Sequence, residues 1–336
     1  MTTEIIFSKL FEKHDTQSHP ENAERLRVMM TALQNASFYH DLRVVEPVLL
    51  PEKLLYAVHT PEMIQLVKDI SAQGDSWIDL DTYVSRGDYE TARYAAGGVF
   101  QACTDVLDGV VENAFALVRP PGHHAGSDRS MGFCLFNNAA IAAQEISQKK
   151  KRVLIFDHDV HHGNGTQLIF NDDKMVMYQS IHLSPHYPGT GGVSEVGVGA
   201  GEGYTVNAPL SFGVGDASVR KLLHEVFLPV AEQFDPDIIL VSAGYDSHHA
   251  DQLGGMRLST NFFGEIIRLF QGIQPRIVCT LEGGYNLDWV GNCLLSQVSR
   301  LMHHPQHFSD SVEEEVNADA VLVALKKMMS KYWKLP

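Results

Sequence analysis

Cysteine is scarce in this sequence. Cys103, Cys134, Cys279 and Cys293 are the only four in 336 residues. None forms a CxxC pair, which argues against a disulfide framework and against a zinc finger. Positive charge is also short: 26 Lys and Arg stand against 41 Asp and Glu, a formal charge of −15. An acidic surface repels phosphate backbones, so direct nucleic-acid binding is not expected, while cationic substrates such as basic peptides or polyamines are favoured. The same charge also serves solubility. Long apolar runs are missing: no segment approaches the roughly 20 residues of a membrane helix. The opening MTTEIIFSKL lacks the basic stretch and apolar core of a signal peptide. No membrane partner and a cytoplasmic location are therefore expected. Low-complexity stretches, internal repeats and Pro/Ser-rich linkers are absent too, so residues 1–336 are expected to form a single domain.

What is present begins with short apolar runs. EIIF (4–7), AFALV (114–118), VLIF (153–156), MVMYQSI (175–181), IILVSA (238–243) and IVCTL (277–281) are continuous rather than alternating. That pattern fits strands covered on both faces, as in a parallel sheet. Helical stretches are expected over 60–70, where Thr60 precedes Pro61, and over 87–107, 137–147, 216–234 and 259–273. The tail from EEEV to KYWK (313–334) suits a closing amphipathic helix. Alternation of strand and helix predicts an α/β fold, a doubly wound, mostly parallel sheet flanked by helices. In such sheets the functional crevice lies beyond the carboxyl ends of the strands. Four apolar runs end in polar, glycine-containing segments: RPPGHHAG, DHDVHHGNG, SAGYDSHHAD and LEGGY. All four are expected on one rim.

The densest of these is FDHDVHHGNG (156–165), with two Asp, three His and one Asn in ten positions. If the strand stays extended, Asp157, Asp159 and His161 share a face and His158 and His162 take the other. A carboxylate and an imidazole two residues apart make half of a metal site, and Asp246 from a neighbouring strand end could complete it. Two Asp and one His with an open position suit a catalytic zinc, and oxygen-rich ligation is equally compatible with iron(II) or cobalt. In RPPGHHAG the adjacent His123 and His124 point in different directions, so each can have its own orienting partner. Asp157 and Asn164 are the natural candidates. Two such histidines facing a metal-activated water would supply general base and general acid. Tyr285, after the two glycines of LEGGY, could donate to a developing oxyanion. Phe133 and Tyr187, in MGFCLFNN and SPHYPGTGG, could wall a narrow slot for an aliphatic chain.

Taken together, HPENAERL (19–26), RPPGHHAG, DHDVHHGNGTQ, SPHYPGTG, AGYD with LGGMRLS, and LEGGYN resemble the histone deacetylase family, of the arginase–deacetylase fold. The motifs run in family order over most of the chain. The resemblance implies a zinc-dependent hydrolase of N-acetyl amides, acting on acetyl-lysine in a peptide or protein. It implies zinc ligation by Asp159, His161 and Asp246. His124 would act as base and then acid, His123 would assist beside it, Asp157 would sit behind His123 and Asn164 behind His124. Tyr285 would hold the oxyanion. Phe133, Tyr187 and Gly122 would belong to the substrate channel, with Leu253 at its mouth and Asp81 at its rim. A structural potassium ion is implied at Asp157, with main-chain oxygens near Asp159, His161, Ser180 and Ile181. A second is implied near Phe170, Asp173, Val176 and Tyr204.

Two departures from the class I pattern resemble the class II branch and its bacterial relatives. Asn164 replaces an Asp behind the second histidine, and PPGHHA lacks an aromatic before the tandem pair. An amide in place of a carboxylate makes His124 less basic. The main rival is an acetylpolyamine amidohydrolase of the same family. Leu253 at a gatekeeper position and the lack of an inserted loop tilt against it, while an acetoin-utilisation role stays open. A non-catalytic acyl-binding or scaffold protein would have lost a ligand or the Tyr. An arginase-type dimanganese site would need a D-x-D pair, and Asp251 lies five residues from Asp246, the wrong spacing. Oligomeric state is left open.

Overall fold

The computed structural model describes residues 2–310 and 312–336. Among the described residues ten strands are formed: β1 (Thr3–Ile6), β2 (Arg43–Val45), β3 (Ser76–Trp77), β4 (Tyr83–Val84), β5 (Asn113–Ala116), β6 (Val153–Asp157), β7 (Val176–Leu183), β8 (Thr205–Leu210), β9 (Ile238–Ala243) and β10 (Ile277–Leu281). Eight make one sheet in the order β2-β1-β5-β10-β9-β6-β7-β8, and every pairing in it is parallel. β3 and β4 form a separate antiparallel hairpin. All residues of β5, β6, β7, β9 and β10 are buried, which is why their apolar runs are continuous.

The helices are α1 (Glu24–Asn35), α2 (Pro61–Gln73), α3 (Asp88–Leu107), α4 (Asn138–Ser147), α5 (Asn164–Ile169), α6 (Asp216–Leu222), α7 (Leu228–Phe234), α8 (Thr260–Gln271), α9 (Val290–Leu301) and α10 (Asp319–Met329). One group, α2, α3 and α4, packs over β5, β10 and β6; a second, α1, α9 and α8, packs side by side. Local chemistry sets several starts. Thr60 Oγ1 accepts Met63 N–H at the head of α2, and Asn137 Oδ1 accepts Ala140 N–H at the head of α4. Among the described residues no helix is long and apolar enough to cross a membrane.

The expected helix over 216–234 is interrupted. A π turn at Leu223–Phe227 separates α6 from α7, just before Pro229, whose ring cannot fit a regular α-helical turn. The closing helix is shorter than expected, because it starts only at Asp319. Elements that the apolar pattern does not reveal are α1, α5, α9, β2, the hairpin β3–β4, and β8. Buried Gln297, Ser296 and Ser299 interrupt the apolar stripe of α9. β8 carries Pro209, which its place at the sheet edge tolerates.

Candidate active site

β5, β10, β9 and β6 are consecutive neighbours in a parallel sheet, so their carboxyl ends lie along one rim. The four polar segments leave the sheet there. The strand β6 ends at Asp157, and the alternation expected through His161 does not continue: the backbone turns and the two carboxylates separate. Asp157 Oδ2 accepts from Tyr178 Oη at 3.0 Å and lies 3.1 Å from His123 Nδ1. Asp159 instead joins His161 and, from beyond β9, Asp246. One ligand atom from each lies within 4.8 Å of the other two. His161 Nδ1 is 2.9 Å from Asp159 Oδ1 and 3.2 Å from Asp246 Oδ2.

The second oxygen of each carboxylate is held by the backbone. Gly283 N–H donates to Asp159 Oδ2 at 2.7 Å and Val160 N–H to Asp246 Oδ1 at 2.9 Å. Asp246 Oδ2 is buried and has no hydrogen-bond partner among the described residues. A Cβ at Gly283 would strike both carboxylates, and one at Gly244 would strike Asp159. Burial and the Asp159 charge push the Asp246 carboxyl up to about 7. Burial opposes charge on His161, but its bond to Asp159 and the nearby Asp246 carboxylate prevail and raise it to about 10. Asp159 is held well below the carboxylate range: burial acts against this, and the His123 and His161 charges overcome it. Two buried carboxylates and one imidazole, with one oxygen unmatched, form a donor set that suits a divalent cation.

The tandem histidines have separate partners. His123 Nδ1 faces Asp157, and His124 Nδ1–H donates to Asn164 Oδ1 at 2.8 Å. Burial lowers both imidazoles. For His123 the Asp157 and Asp159 charges reverse this and raise it to about 10. His124 has no such carboxylate, and the charges of His123 and His161 add to burial, holding it well below the ordinary range. The backbone of the pair is fixed by Glu282, whose Oε2 accepts Gly122 N–H (2.7 Å) and His123 N–H (3.1 Å). Burial pushes that carboxyl up to about 7.

Tyr285 is raised well above its usual range by burial and then by Asp246, so it stays protonated. Its loop is tied from two sides. Asp251 Oδ2 accepts Tyr285 N–H (2.6 Å) and Asn286 N–H (2.9 Å). Arg25 donates to Gly284 O and Glu282 O, both at 2.6 Å, with its guanidinium 4.9 Å from the Tyr285 ring centroid.

These groups open onto a cavity of about 230 Å³ lined by Asp81, Pro121, His123, His124, Gly132, Phe133, His161, His186, Tyr187, Leu253, Gly283 and Tyr285. Phe133 has φ +69°, a left-handed conformation that a bulky residue seldom adopts. Its ring meets His19 edge-on at 4.4 Å. Tyr187 stands edge-on to His124 at 5.1 Å.

Residues 19–301 match the histone deacetylase domain family. The chain is 36% identical to a probable deacetylase of Archaeoglobus fulgidus over 99% of both chains. It is 42% identical to histone deacetylase 15 of Arabidopsis thaliana over 81% of this chain and 50% of that one. The crystal structure of the HDA15 HD domain superposes with a TM-score of 0.92 at 35% identity, covering 99% of this chain and 95% of that one.

The chain belongs to the histone deacetylase family. Its sheet and flanking helices are those of the arginase–deacetylase fold, and it is a hydrolase of the deacetylase type. It spans the full length of the archaeal family member but about half of the plant proteins it matches, including histone deacetylases 5 and 18 of Arabidopsis thaliana.

Within this family fold, the structure brings together Asp159, His161, Asp246, His123, His124 and Tyr285, with Asp157 and Asn164 directly behind the tandem pair. Phe133, Tyr187, Leu253 and Asp81 line the cavity. Gly122 does not: it lies behind the wall, where its N–H serves Glu282 and a Cβ would strike the backbone at Asn138. Ser180 is the registered neighbour of Asp157 across β6 and β7, with Ile181 next along β7. Sequence reasoning missed Glu282, Asp251, Arg25 and His186. Glu282 and His186 sit inside motifs that were read only for their tyrosines. His186 stacks on His161 at 4.9 Å and lies 3.1 Å from Leu253 O through its Nε2.

Proposed function

We propose that this chain hydrolyses the N-acetyl amide of acetyl-lysine in a peptide or protein, with zinc held by Asp159, His161 and Asp246. The convergence of that donor set, the tandem histidines and Tyr285 on one cavity carries the reading. The unmatched Asp246 Oδ2 and the close approach required at Gly283 support a cation there. A zinc ion, or iron(II) or cobalt in its place, supplies a Lewis acid for the amide carbonyl and makes water more acidic.

The chain's own groups then divide the work. Because His124 gives its Nδ1–H to Asn164, its Nε2 lone pair is free to accept a proton from the attacking water. His124 then returns that proton to the leaving amine. Its lowered pKa has it enter the cycle neutral. His123 is in the opposite state, an imidazolium held against Asp157, and contributes positive charge beside the reacting carbonyl. Tyr285 donates its hydroxyl hydrogen to the oxyanion. Phe133 and Tyr187 flank the lysine stem, Leu253 bounds the mouth and Asp81 offers a carboxylate to the substrate backbone.

A structural potassium ion at Asp157, with main-chain oxygens of Ser180 and Ile181, belongs to the same reading, and the strand register supports it. So do a cytoplasmic location and a single catalytic domain over 1–336, the latter supported by one continuous eight-stranded sheet.

The test is acetate release from an acetyl-lysine peptide and from acetylputrescine, side by side, with and without zinc chelation. Chelator-sensitive turnover favouring the peptide is expected. Preference for acetylputrescine would move the substrate to the polyamines with the same residues at work. No turnover on either, with zinc bound, would overturn the proposed acetyl substrates and leave another acyl substrate or an acyl-binding role.

A further inference from the structure

The segment that carries Asp246 and Asp251 also carries His248 and His249, which the reaction does not use. Their rings lie 4.3 Å apart, tilted by 39°, and both face Asp310 in the stretch after α9. His248 Nε2 is 3.0 Å and His249 Nε2 3.6 Å from Asp310 Oδ2. One ligand atom from each of the three lies within 4.8 Å of the others. Trp289 covers the group, its ring 5.0 Å from His248 and 5.7 Å from His249.

An ordinary buried ion pair would leave no polar atom unmatched, and this one leaves two. Asp310 Oδ2 accepts Thr260 N–H at 2.8 Å and pairs with His248. Its partner oxygen, Oδ1, is buried and unmatched among the described residues, and so is His249 Nε2. A carboxylate oxygen and an imidazole nitrogen buried this way each lose hydration without return. The Arg257 guanidinium, whose charge bears on His249, does not fill the gap: it is engaged by Glu315 and by Glu313 O.

We propose that His248, His249 and Asp310 form a second divalent-metal site, separate from the catalytic one, that takes zinc or a similar transition ion. Two imidazole nitrogens and a carboxylate select such a metal over magnesium or calcium, which prefer oxygen ligands. On binding, His248 Nε2 exchanges its contacts with Asp310 Oδ2 and, at 3.1 Å, Thr260 Oγ1 for the ion. Its proton moves to Nδ1, which releases the long 3.3 Å contact with Ala250 N–H. None of the three residues lines the catalytic cavity, so the ion acts by structure. It ties the stretch after α9 to the loop that holds Asp246 and, through Asp251, Tyr285.

The inference does not depend on the deacetylation reading, and zinc content separates the two. After gel filtration of zinc-saturated protein, two equivalents per chain are expected in the wild type. One is expected in His249→Ala, in Asp310→Asn and in Asp246→Asn, and none in His249→Ala combined with Asp246→Asn. The His249 side chain is 21% exposed, so its truncation should leave the fold intact, as circular dichroism would show. Chelation should lower the unfolding midpoint more in the wild type than in His249→Ala. A single equivalent in the wild type that is lost in Asp246→Asn but kept in His249→Ala, or a second one that survives both His249→Ala and Asp310→Asn, would overturn the site.

Discussion

Tyr285 and His124 face the same cavity, and their neighbours hold both neutral: burial and then the Asp246 carboxylate keep the phenol protonated, while burial and then the His123 charge keep the imidazole unprotonated. Each state suits the role given to the group, a donor and a base. Tyr285→Phe keeps the ring beneath Arg25 and loses only the donor. Turnover should fall on the order of a hundredfold or more with zinc content unchanged. Near-normal turnover in that variant would remove Tyr285 from the mechanism. Asn164→Asp places a carboxylate behind His124, favours its imidazolium and raises its pKa. Since the unprotonated ring is the base, the acid limb of the kcat/KM profile should move to higher pH, by about one unit or more. An unmoved limb would mean that His124 is not the titrating base. The side chains to which the proposed mechanism gives chemical roles stand in motifs that can be read along the chain. Glu282 and Asp251 escaped because they hold backbone N–H groups distant in the chain, and such bonds leave no spacing to read.

Loops, rather than strands or helices, bring the parts into register. The segment after β9 supplies the proposed ligand Asp246, the clamp Asp251 and the cavity-lining Leu253 within eight positions. Asp251 receives the N–H groups of Tyr285, Asn286 and Leu253. Gln252 adds a bond to Tyr285 O, and Asn286 returns one to Ala250 O. Movement of the oxyanion donor is therefore coupled to movement of the channel mouth. Asp251→Ala should lower kcat between about tenfold and a hundredfold through misplacement of the hydroxyl, with zinc still bound. Assays of kcat per folded chain alongside the unfolding midpoint decide the matter. A lower midpoint with unchanged kcat would reduce Asp251 to a stabilising role. At this scale the buried central strands were legible from their continuous apolar runs. The edge strands β2 and β8 were not, since one is largely exposed and the other contains a proline.

Across the whole molecule, parallel pairing puts the ends of four adjacent strands on one rim, and a chain with net charge −15 attracts cationic substrates at long range. Long-range attraction of this kind is screened as salt rises. For an acetyl-lysine peptide flanked by Lys and Arg, kcat/KM should fall several-fold between about 10 mM and 200 mM salt. A peptide with neutral flanks should change much less, and equal salt dependence for the two would dismiss steering by surface charge.

The sequence by itself determined the fold class, the family and the residue types of the site, because these rest on local patterns: continuous apolar strands, strand ends rich in Asp, His and Gly, and a fixed order of motifs. The choice between Asp157 and Asp159 did not follow from alternation along β6, which stops where the strand stops. Only the tertiary structure turned Asp157 toward His123 and Asp159 toward Asp246, withdrew Gly122 from the cavity wall, and placed Glu282, Asp251 and Arg25 behind the reacting groups. It also set His248 and His249 against Asp310, 61 residues beyond His249 in the chain. Each of these rests on hydrogen bonding or charge between segments far apart in sequence, where burial makes every polar atom find a partner and the backbone path decides which one it meets.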